Sequence, residues 1–117
     1  YAAQYTLGGG NVSITAGAWE GQRLAKVDLL GGKLELAVGA PGLARLSGAA
    51  LLPVFALRDP GDATLRVIVE PPIPVANVGD ADAALQEAAQ RFGKLMERHV
   101  RGHPAQWRDW KNLKLPD

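Results

Sequence analysis

The sequence contains no cysteine, which excludes disulfide bonds and thiolate metal sites from its 117 residues. Aromatic residues make up only 6% of the chain, and the formal net charge at pH 7 is only +1. No apolar run approaches the roughly 18 residues that a membrane-spanning helix needs. Charged residues (21%) and hydrophobic residues (47%) nevertheless occur in proportions ordinary for a globular protein. The composition therefore predicts one folded domain covering residues 1–117.

The most informative stretch covers residues 39–57, which combine three glycines with a long apolar segment. Gly39 and Gly42 are predicted to let the backbone approach a neighbouring segment at the start of a short helix. Gly48 is typical of a helix end. Residues 49–57 are almost all apolar, as in a strand covered on both faces. Because a strand fed directly by a helix is half of a βαβ unit, we expect an α/β fold with a mixed, mostly parallel sheet flanked by helices.

Alternating apolar and polar residues predict further strands on both sides of this stretch. A turn at residues 58–62 predicts that the buried strand is followed by an antiparallel hairpin partner. The first seven residues, by contrast, are predicted to be the last turns of a helix closed by glycines. The predicted strands cover residues 11–15, 24–30, 33–38, 49–57 and 63–70.

A long amphipathic helix is predicted to begin at Asp80 or Asp82, either of which can cap it, and to end at Gly102. Its basic end leaves two interpretations open: a surface for an anionic partner such as a phospholipid headgroup, or a solvated helix face. From residue 91 onward only three residues are acidic. The seven basic residues there are Arg91, Lys94, Arg98, Arg101, Arg108, Lys111 and Lys114.

The two histidines do not form a convincing metal or catalytic pair. His99 and His103 are four residues apart, but Gly102 ends the helix and Pro104 disfavours a helical backbone at His103. His99 is predicted to pack and hydrogen-bond on the apolar face of the helix. His103 with Asp109 as its orienting partner is the alternative, but no nucleophile is near. We therefore predict no metal ligand and no catalytic residue in this chain.

A glycine-flanked loop near residue 20 is the best candidate for a contact with substrate. Glu20 and Gly21 follow a predicted strand, and Arg23 lies three residues after Glu20. A carboxylate and a guanidinium on such a loop can hold a phosphate or orient a catalytic group. The alternative is an exposed loop carboxylate beside a surface arginine.

Four segments together resemble a known family. Residues 39–55 (GAPGLARLSGAALLPVF) resemble the G-x-x-x-L-A-x-x-[ST]-G-A-x-[LV]-[LV]-P segment of the lysophospholipid acyltransferase superfamily. Residues 27–31 (VDLLG), 69–73 (VEPPI) and 103–107 (HPAQW) resemble V-x-[LF]-F-G, [IV]-x-P-P-[LI] and H-P-E-Q-W of one branch. That branch contains the bacterial lipid A (lauroyl/myristoyl) and phosphatidylinositol mannoside acyltransferases. The resemblance implies a partial acyltransferase domain.

The resemblance also implies substrate-binding residues. Glu20, Gly21 and Arg23 match the acceptor-phosphate motif P-E-G-T-R of the wider superfamily, whereas Trp19 and Gln22 depart from it. The other positions that the resemblance assigns to substrate binding are Gly39, Arg45 and Pro53. Arg45 is expected on the helix beneath Pro53, which matches the proline of the last conserved block of the superfamily.

The family's reaction transfers a fatty acyl group from acyl carrier protein or acyl-CoA to a lipid hydroxyl, without a cofactor. Its general base is the histidine of an H-x-x-x-x-D motif. Here the residues five positions after His99 and His103 are Pro104 and Arg108. The resemblance therefore implies the C-terminal half of such an enzyme, inactive by itself.

The implied partners are the acyl donor, a lipid acceptor and the cytoplasmic face of a bacterial inner membrane, contacted peripherally. Nucleic acid is not an expected partner, whereas assembly into a homo-oligomer is expected. The alternative function, from another class, is a small non-catalytic α/β binding or structural module that dimerises through an apolar face.

Overall fold

The computed structural model describes residues 2–7, 12–15, 23–58, 61, 64–107 and 113–115. The described strands form a four-stranded sheet, in the order β2-β1-β5-β6, and a separate hairpin of β3 and β4. The elements are β1 (Ala2–Leu7), β2 (Val12–Thr15), β3 (Leu24–Leu29), β4 (Gly32–Ala37), α1 (Gly39–Ser47), β5 (Leu51–Arg58), β6 (Leu65–Val69), α2 (Ala81–Gly102) and a 3-10 turn (Pro104–Gln106).

The expected mixed, mostly parallel sheet is wrong, because every strand pair in the described part of the chain is antiparallel. A βαβ unit requires its helix to join two parallel strands of one sheet. Helix α1 instead leads from β4, in the hairpin, to β5, in the other sheet. The helix-to-strand order was predicted correctly, but it does not fix the direction of the neighbouring strands.

The predicted helical turns at the start of the chain are also wrong, since residues 2–7 form strand β1. This strand pairs with β2 on one side and with β5 on the other. Hydrogen bonding on both sides determines the conformation of such a short segment, and tertiary pairing overrides its weak local preference. The partner on one side, β5, is more than 40 residues away in sequence.

The prediction that Gly48 ends helix α1 is confirmed. The prediction that another segment approaches the backbone at the start of this helix is wrong. Gly48 has a left-handed φ of 74°, and its N–H donates to the carbonyl of Ala44 over 2.9 Å. Glycine adopts this conformation without steric cost. At Gly39 and Gly42, an added Cβ would meet no atom within 4 Å. Those two glycines are therefore not places where another segment approaches the backbone.

Strand β5 confirms the predicted buried strand and lies between β1 and β6. Phe55 is fully buried, and no residue from 51 to 57 is exposed. Pro53 is tolerated because β6 ends at Val69, opposite Val54, so the pairing ladder stops where the proline has no N–H to donate. The hairpin partner β6 was also predicted correctly.

Helix α2 has the predicted cap and the predicted apolar face. The Asp80 side chain accepts a hydrogen bond from the Asp82 N–H over 3.1 Å, which satisfies a donor of the first turn. Phe92 packs on Phe55 with ring centroids 5.3 Å apart and planes inclined by 21°. The helix thereby joins the hairpin and the four-stranded sheet into one apolar cluster. Its buried residues are Ala84, Leu85, Ala88, Ala89, Phe92, Gly93, Met96 and Val100.

Candidate functional site

The structure brings some of the predicted substrate-binding residues to one region and leaves others apart. Glu20 and Gly21 lie outside the described residues. Arg23 lies immediately before β3, and its carbonyl accepts the Val38 N–H over 3.2 Å, just before helix α1. Gly39 is the first residue of that helix. The ends of β3 and α1 are therefore neighbours.

Arg45 connects helix α1 to the segment that leads into α2. Its two terminal guanidinium nitrogens donate to main-chain carbonyls, Nη1 to Ala76 and Nη2, over 3.0 Å, to Gly79. The structure gives Arg45 these partners more than 30 residues along the chain. A planar guanidinium suits this role because it presents several donors in a fixed fork.

Arg23 contacts the other end of the segment that leads into α2. Its Nη2 atom pairs with Asp82 in the first turn of α2, and both side chains are largely exposed. Two arginines from different elements therefore hold the segment between Ala76 and Asp82. An exposed ion pair such as that of Arg23 with Asp82 contributes about 0–1 kcal/mol, so this contact positions the segment more than it stabilises the protein.

A groove of about 360 Å³ lies between helix α1, the entry into β5 and the proline-containing connection. This volume is at the small end of ligand pockets in proteins. Small apolar side chains form most of its wall. Arg45 is the one charged residue among those that line it. The groove is lined by Ala44, Arg45, residues 48–50 and residues 72–77. It can accommodate an apolar group beside a hydrogen-bond donor.

Three of the predicted site residues that the structure describes, Arg23, Gly39 and Pro53, do not line this groove. Pro53 is buried inside the four-stranded sheet, where its carbonyl accepts the Glu70 N–H over 2.9 Å. Gly39 begins α1, whereas the groove borders the second half of that helix. Arg45 alone, of the predicted residues that the structure describes, lines the groove. The connection at residues 72–77 was not predicted as part of a site, although its prolines indicated an extended segment.

His99 and Glu70 form a largely buried polar pair just after the end of strand β6. His99 Nε2 lies 2.9 Å from Glu70 Oε1, and only 12% and 14% of the two side chains are exposed. The His99 ring also packs against Phe55, with centroids 4.4 Å apart. The predicted packed, hydrogen-bonded histidine is confirmed. The signal for its partner was the single carboxylate at the end of an apolar strand.

Two of the segments that resemble the acyltransferase motifs, residues 27–31 and 103–107, form hydrogen bonds with other elements of the fold. The side-chain amide of Gln90 bonds to the backbone of Asp28 in both directions, over 2.8 and 3.1 Å. Glu97 Oε1 accepts the Leu30 N–H over 2.5 Å. Gln106 similarly accepts from the Arg58 N–H and donates to the Arg58 carbonyl, over 2.8 and 2.7 Å. These motifs therefore hold the fold together in the described part of the chain.

Within the described residues, no group of three or more histidine, aspartate or glutamate side chains is arranged to hold a metal ion. The helices in that part of the chain are too short or too polar to cross a membrane. Asp109 lies outside the described residues, so the alternative pair of His103 with Asp109 has no geometry here. The groove beside Arg45 remains the best candidate for a ligand.

Comparison with known proteins gives one match. The family described as "Bacterial lipid A biosynthesis acyltransferase" matches residues 20–112, which is more than three quarters of the printed sequence. The match includes helix α1, the groove, helix α2 and residues 20–23. No curated protein and no solved structure matches the chain.

Proposed function

Because this chain belongs to the bacterial lipid A biosynthesis acyltransferase family, we propose that it contributes the acceptor side of a lipid acyltransferase. The reaction transfers a fatty acyl group from an acyl carrier protein or acyl-CoA thioester to a hydroxyl of a lipid acceptor. The match over residues 20–112 carries this proposal. The protein works peripherally at the cytoplasmic face of the inner membrane, where its lipid substrate is embedded.

The general base lies outside the printed residues in this proposal, because neither histidine begins an H-x-x-x-x-D motif. His99 is bonded to Glu70 and packs against Phe55, so in this proposal it supports the fold and is not assigned the role of base. A base must lie within hydrogen-bond reach of the proton it removes. The printed chain by itself is therefore expected to be inactive, and it belongs functionally to the C-terminal half of the enzyme.

The groove beside Arg45 takes part of the lipid substrate in this proposal. Its small apolar wall suits a hydrocarbon or sugar edge, and Arg45 holds the 76–79 connection that forms the far wall. Glu20 and Arg23 contact the acceptor phosphate. Gly39 and Pro53 act indirectly, by shaping the start of α1 and the interior of the sheet.

An acyl-transfer assay with a labelled thioester donor and a lipid A precursor tests the general base assignment. We expect no turnover by the printed 117 residues alone, and turnover when the same residues are part of a chain that carries an H-x-x-x-x-D motif. Turnover by the 117 residues alone would place the base inside them. No turnover by the motif-bearing chain would contradict the acyltransferase assignment itself.

Substitution in the active, motif-bearing chain tests the groove. Arg45→Gln is expected to raise KM for the lipid acceptor about tenfold while kcat changes less, because uniform binding is lost rather than transition-state stabilisation. Lys26→Gln, on the exposed face of β3, is the matched control and should leave both constants unchanged. An unaltered KM in Arg45→Gln would remove the groove from the substrate site.

The alternative function, a module that dimerises, is favoured by one observation on strand β6. Leu65, Val67 and Val69 are 59%, 58% and 58% exposed. Because Glu70 donates its N–H to Pro53 in β5, every second residue before Glu70 turns its backbone groups toward β5. The backbone N–H and C=O groups of Leu65, Val67 and Val69 instead point to the free edge of the described sheet. Such an antiparallel edge can pair with the same edge of a second copy about a two-fold axis.

Sedimentation equilibrium distinguishes this alternative. If the edge is a dimer interface, the wild-type chain sediments as a dimer, and Val67→Lys sediments as a monomer because a charge on an edge strand opposes pairing. Leu46→Lys is the matched control, since Leu46 is 85% exposed on helix α1. A wild-type monomer at all concentrations would exclude the dimeric module.

A further inference from the structure

Helix α2 carries a straight line of four basic side chains. Arg91, Lys94, Arg98 and Arg101 follow one another at intervals of three, four and three residues, and this spacing keeps side chains on one face of an α-helix. At 1.5 Å per residue, the line is about 15 Å long. We name these four residues the basic stripe.

The basic stripe faces away from the rest of the protein. All four residues are exposed, whereas the buried positions of α2, among them Phe92, Met96 and Val100, lie on the opposite side. The side chains that attach α2 to the β3–β4 hairpin, Gln90 and Glu97, lie along the flank between the two faces. No described residue packs over the stripe.

Only the ends of the stripe are neutralised. Arg91 Nη2 lies 3.0 Å from Glu87 Oε1, and Arg101 Nη2 lies 3.9 Å from Glu97 Oε1. Lys94 and Arg98, in the middle, have no ion pair with any residue in the described part of the chain. The centre of the stripe therefore keeps two uncompensated positive charges, although the net charge of the whole chain is only +1.

The other exposed side chains of α2 narrow the kind of partner. The exposed residues of this helix include no aromatic and no large aliphatic side chain. A protein partner ordinarily needs such an anchor at the centre of its interface, and single-stranded nucleic acid ordinarily stacks on aromatic rings. A flat anionic surface needs neither, because dispersed basic side chains attract it through charge alone.

We propose that the basic stripe docks the protein on the headgroups of an anionic phospholipid bilayer. This inference rests on the proposed function, because a lipid acceptor embedded in a membrane is what brings the protein to that surface. The helix lies parallel to the bilayer and contacts headgroups without inserting, since the stripe offers charge but no apolar wedge. Contact along the stripe leaves the opposite, core-facing side of α2 undisturbed.

Vesicle sedimentation with the full printed chain tests the proposal. The vesicles contain phosphatidylcholine alone or with about 30% phosphatidylglycerol, which supplies the negative surface potential. The test variant is Lys94→Gln with Arg98→Gln, and the control variant is Lys26→Gln with Lys33→Gln, which removes the same charge from the β3–β4 hairpin. Thermal unfolding checks that each variant is folded. We expect both to fold because all four positions are exposed.

We expect the wild type and the control variant to bind the anionic vesicles and not the neutral ones. Each basic residue at such a surface contributes roughly fivefold to partitioning, so the test variant is expected to bind about 25-fold more weakly. Binding should also fall steeply between about 0.05 M and about 0.5 M salt, because surface charges are screened.

Three results would overturn the proposal. They are equal binding of the test variant and the wild type, equal binding to neutral and anionic vesicles, and tighter binding of the wild type to duplex RNA or an acidic protein than to the vesicles. This assay involves no acyl transfer. Lost stripe-dependent binding with intact transfer would reject only the docking surface, and intact binding without transfer would reject only the reaction.

Discussion

One hydrogen bond ties the end of β6 to the last turns of α2. His99 Nε2 and Glu70 Oε1 lie 2.9 Å apart, and a carboxylate accepts such a bond when the Nε2–H of the ring donates. The pair is largely removed from solvent, and its histidine ring packs on Phe55. Polar groups in such places contribute little when paired but are costly when their partner is removed.

Glu70→Ala is therefore expected to lower the free energy of unfolding by about 1–3 kcal/mol, since the His99 donor is left without its partner. Glu70→Gln keeps an acceptor of similar shape and should cost less than half as much. Urea unfolding followed by circular dichroism measures both values. Equal losses in the two variants would show that the hydrogen bond is not the stabilising feature.

At the scale of the elements, helix α2 lies close against strand β3. Gly93 is buried, and a Cβ built on it would lie 3.1 Å from Cγ2 of Val27, which is itself fully buried. Gly42, in helix α1, has no atom within 4 Å of the same position. The two helical glycines thus share a backbone conformation but differ in their surroundings.

This difference predicts opposite effects of the same substitution. Gly42→Ala should raise the free energy of unfolding by about 0.5–1 kcal/mol, because alanine is the better helix former. In Gly93→Ala the same gain is offset by overpacking against Val27, which typically costs about 1–3 kcal/mol, so we expect a net loss. Chemical denaturation of the two variants checks the signs, and stabilisation by Gly93→Ala would mean that β3 can move away from α2.

At the scale of the whole molecule, stability depends on the contact of α2 with both sheets. Phe92 is fully buried, stacks on Phe55 of the four-stranded sheet, and belongs to the apolar cluster that includes Val27 and Leu36 of the hairpin. Helix α2 therefore packs against apolar residues of both sheets in the described part of the chain. We therefore expect the described elements to unfold together.

Phe92→Ala is expected to reduce the free energy of unfolding by about 3–5 kcal/mol, through lost transfer free energy and the cavity left behind. Phe92→Leu should cost clearly less because it fills more of that volume. Tryptophan fluorescence, to which the buried Trp107 contributes, and far-ultraviolet circular dichroism should give coincident transitions in all three proteins. Separate transitions would show that the two sheets are independent units.

The sequence determined the local elements that depend on nearby residues. Residues that are neighbours along the chain determine four features: the periodicity of α2, its Asp80 cap, the left-handed Gly48 and the apolar run of β5. The resemblance of residues 39–55 and three shorter segments also indicated the acyltransferase family correctly. Hydrophobic patterns of this kind predict which face of an element is buried.

Only the tertiary structure decided the strand directions and the partners of the polar side chains. Strand β1 is a strand because β2 and β5 flank it, and α1 forms no parallel βαβ unit because it crosses between two sheets. Arg45 reaches Ala76 and Gly79, and His99 reaches Glu70, across about 30 residues of sequence. Hydrogen bonds between distant residues follow from how elements pack, and the periodicity within one element does not say which distant segment lies against it.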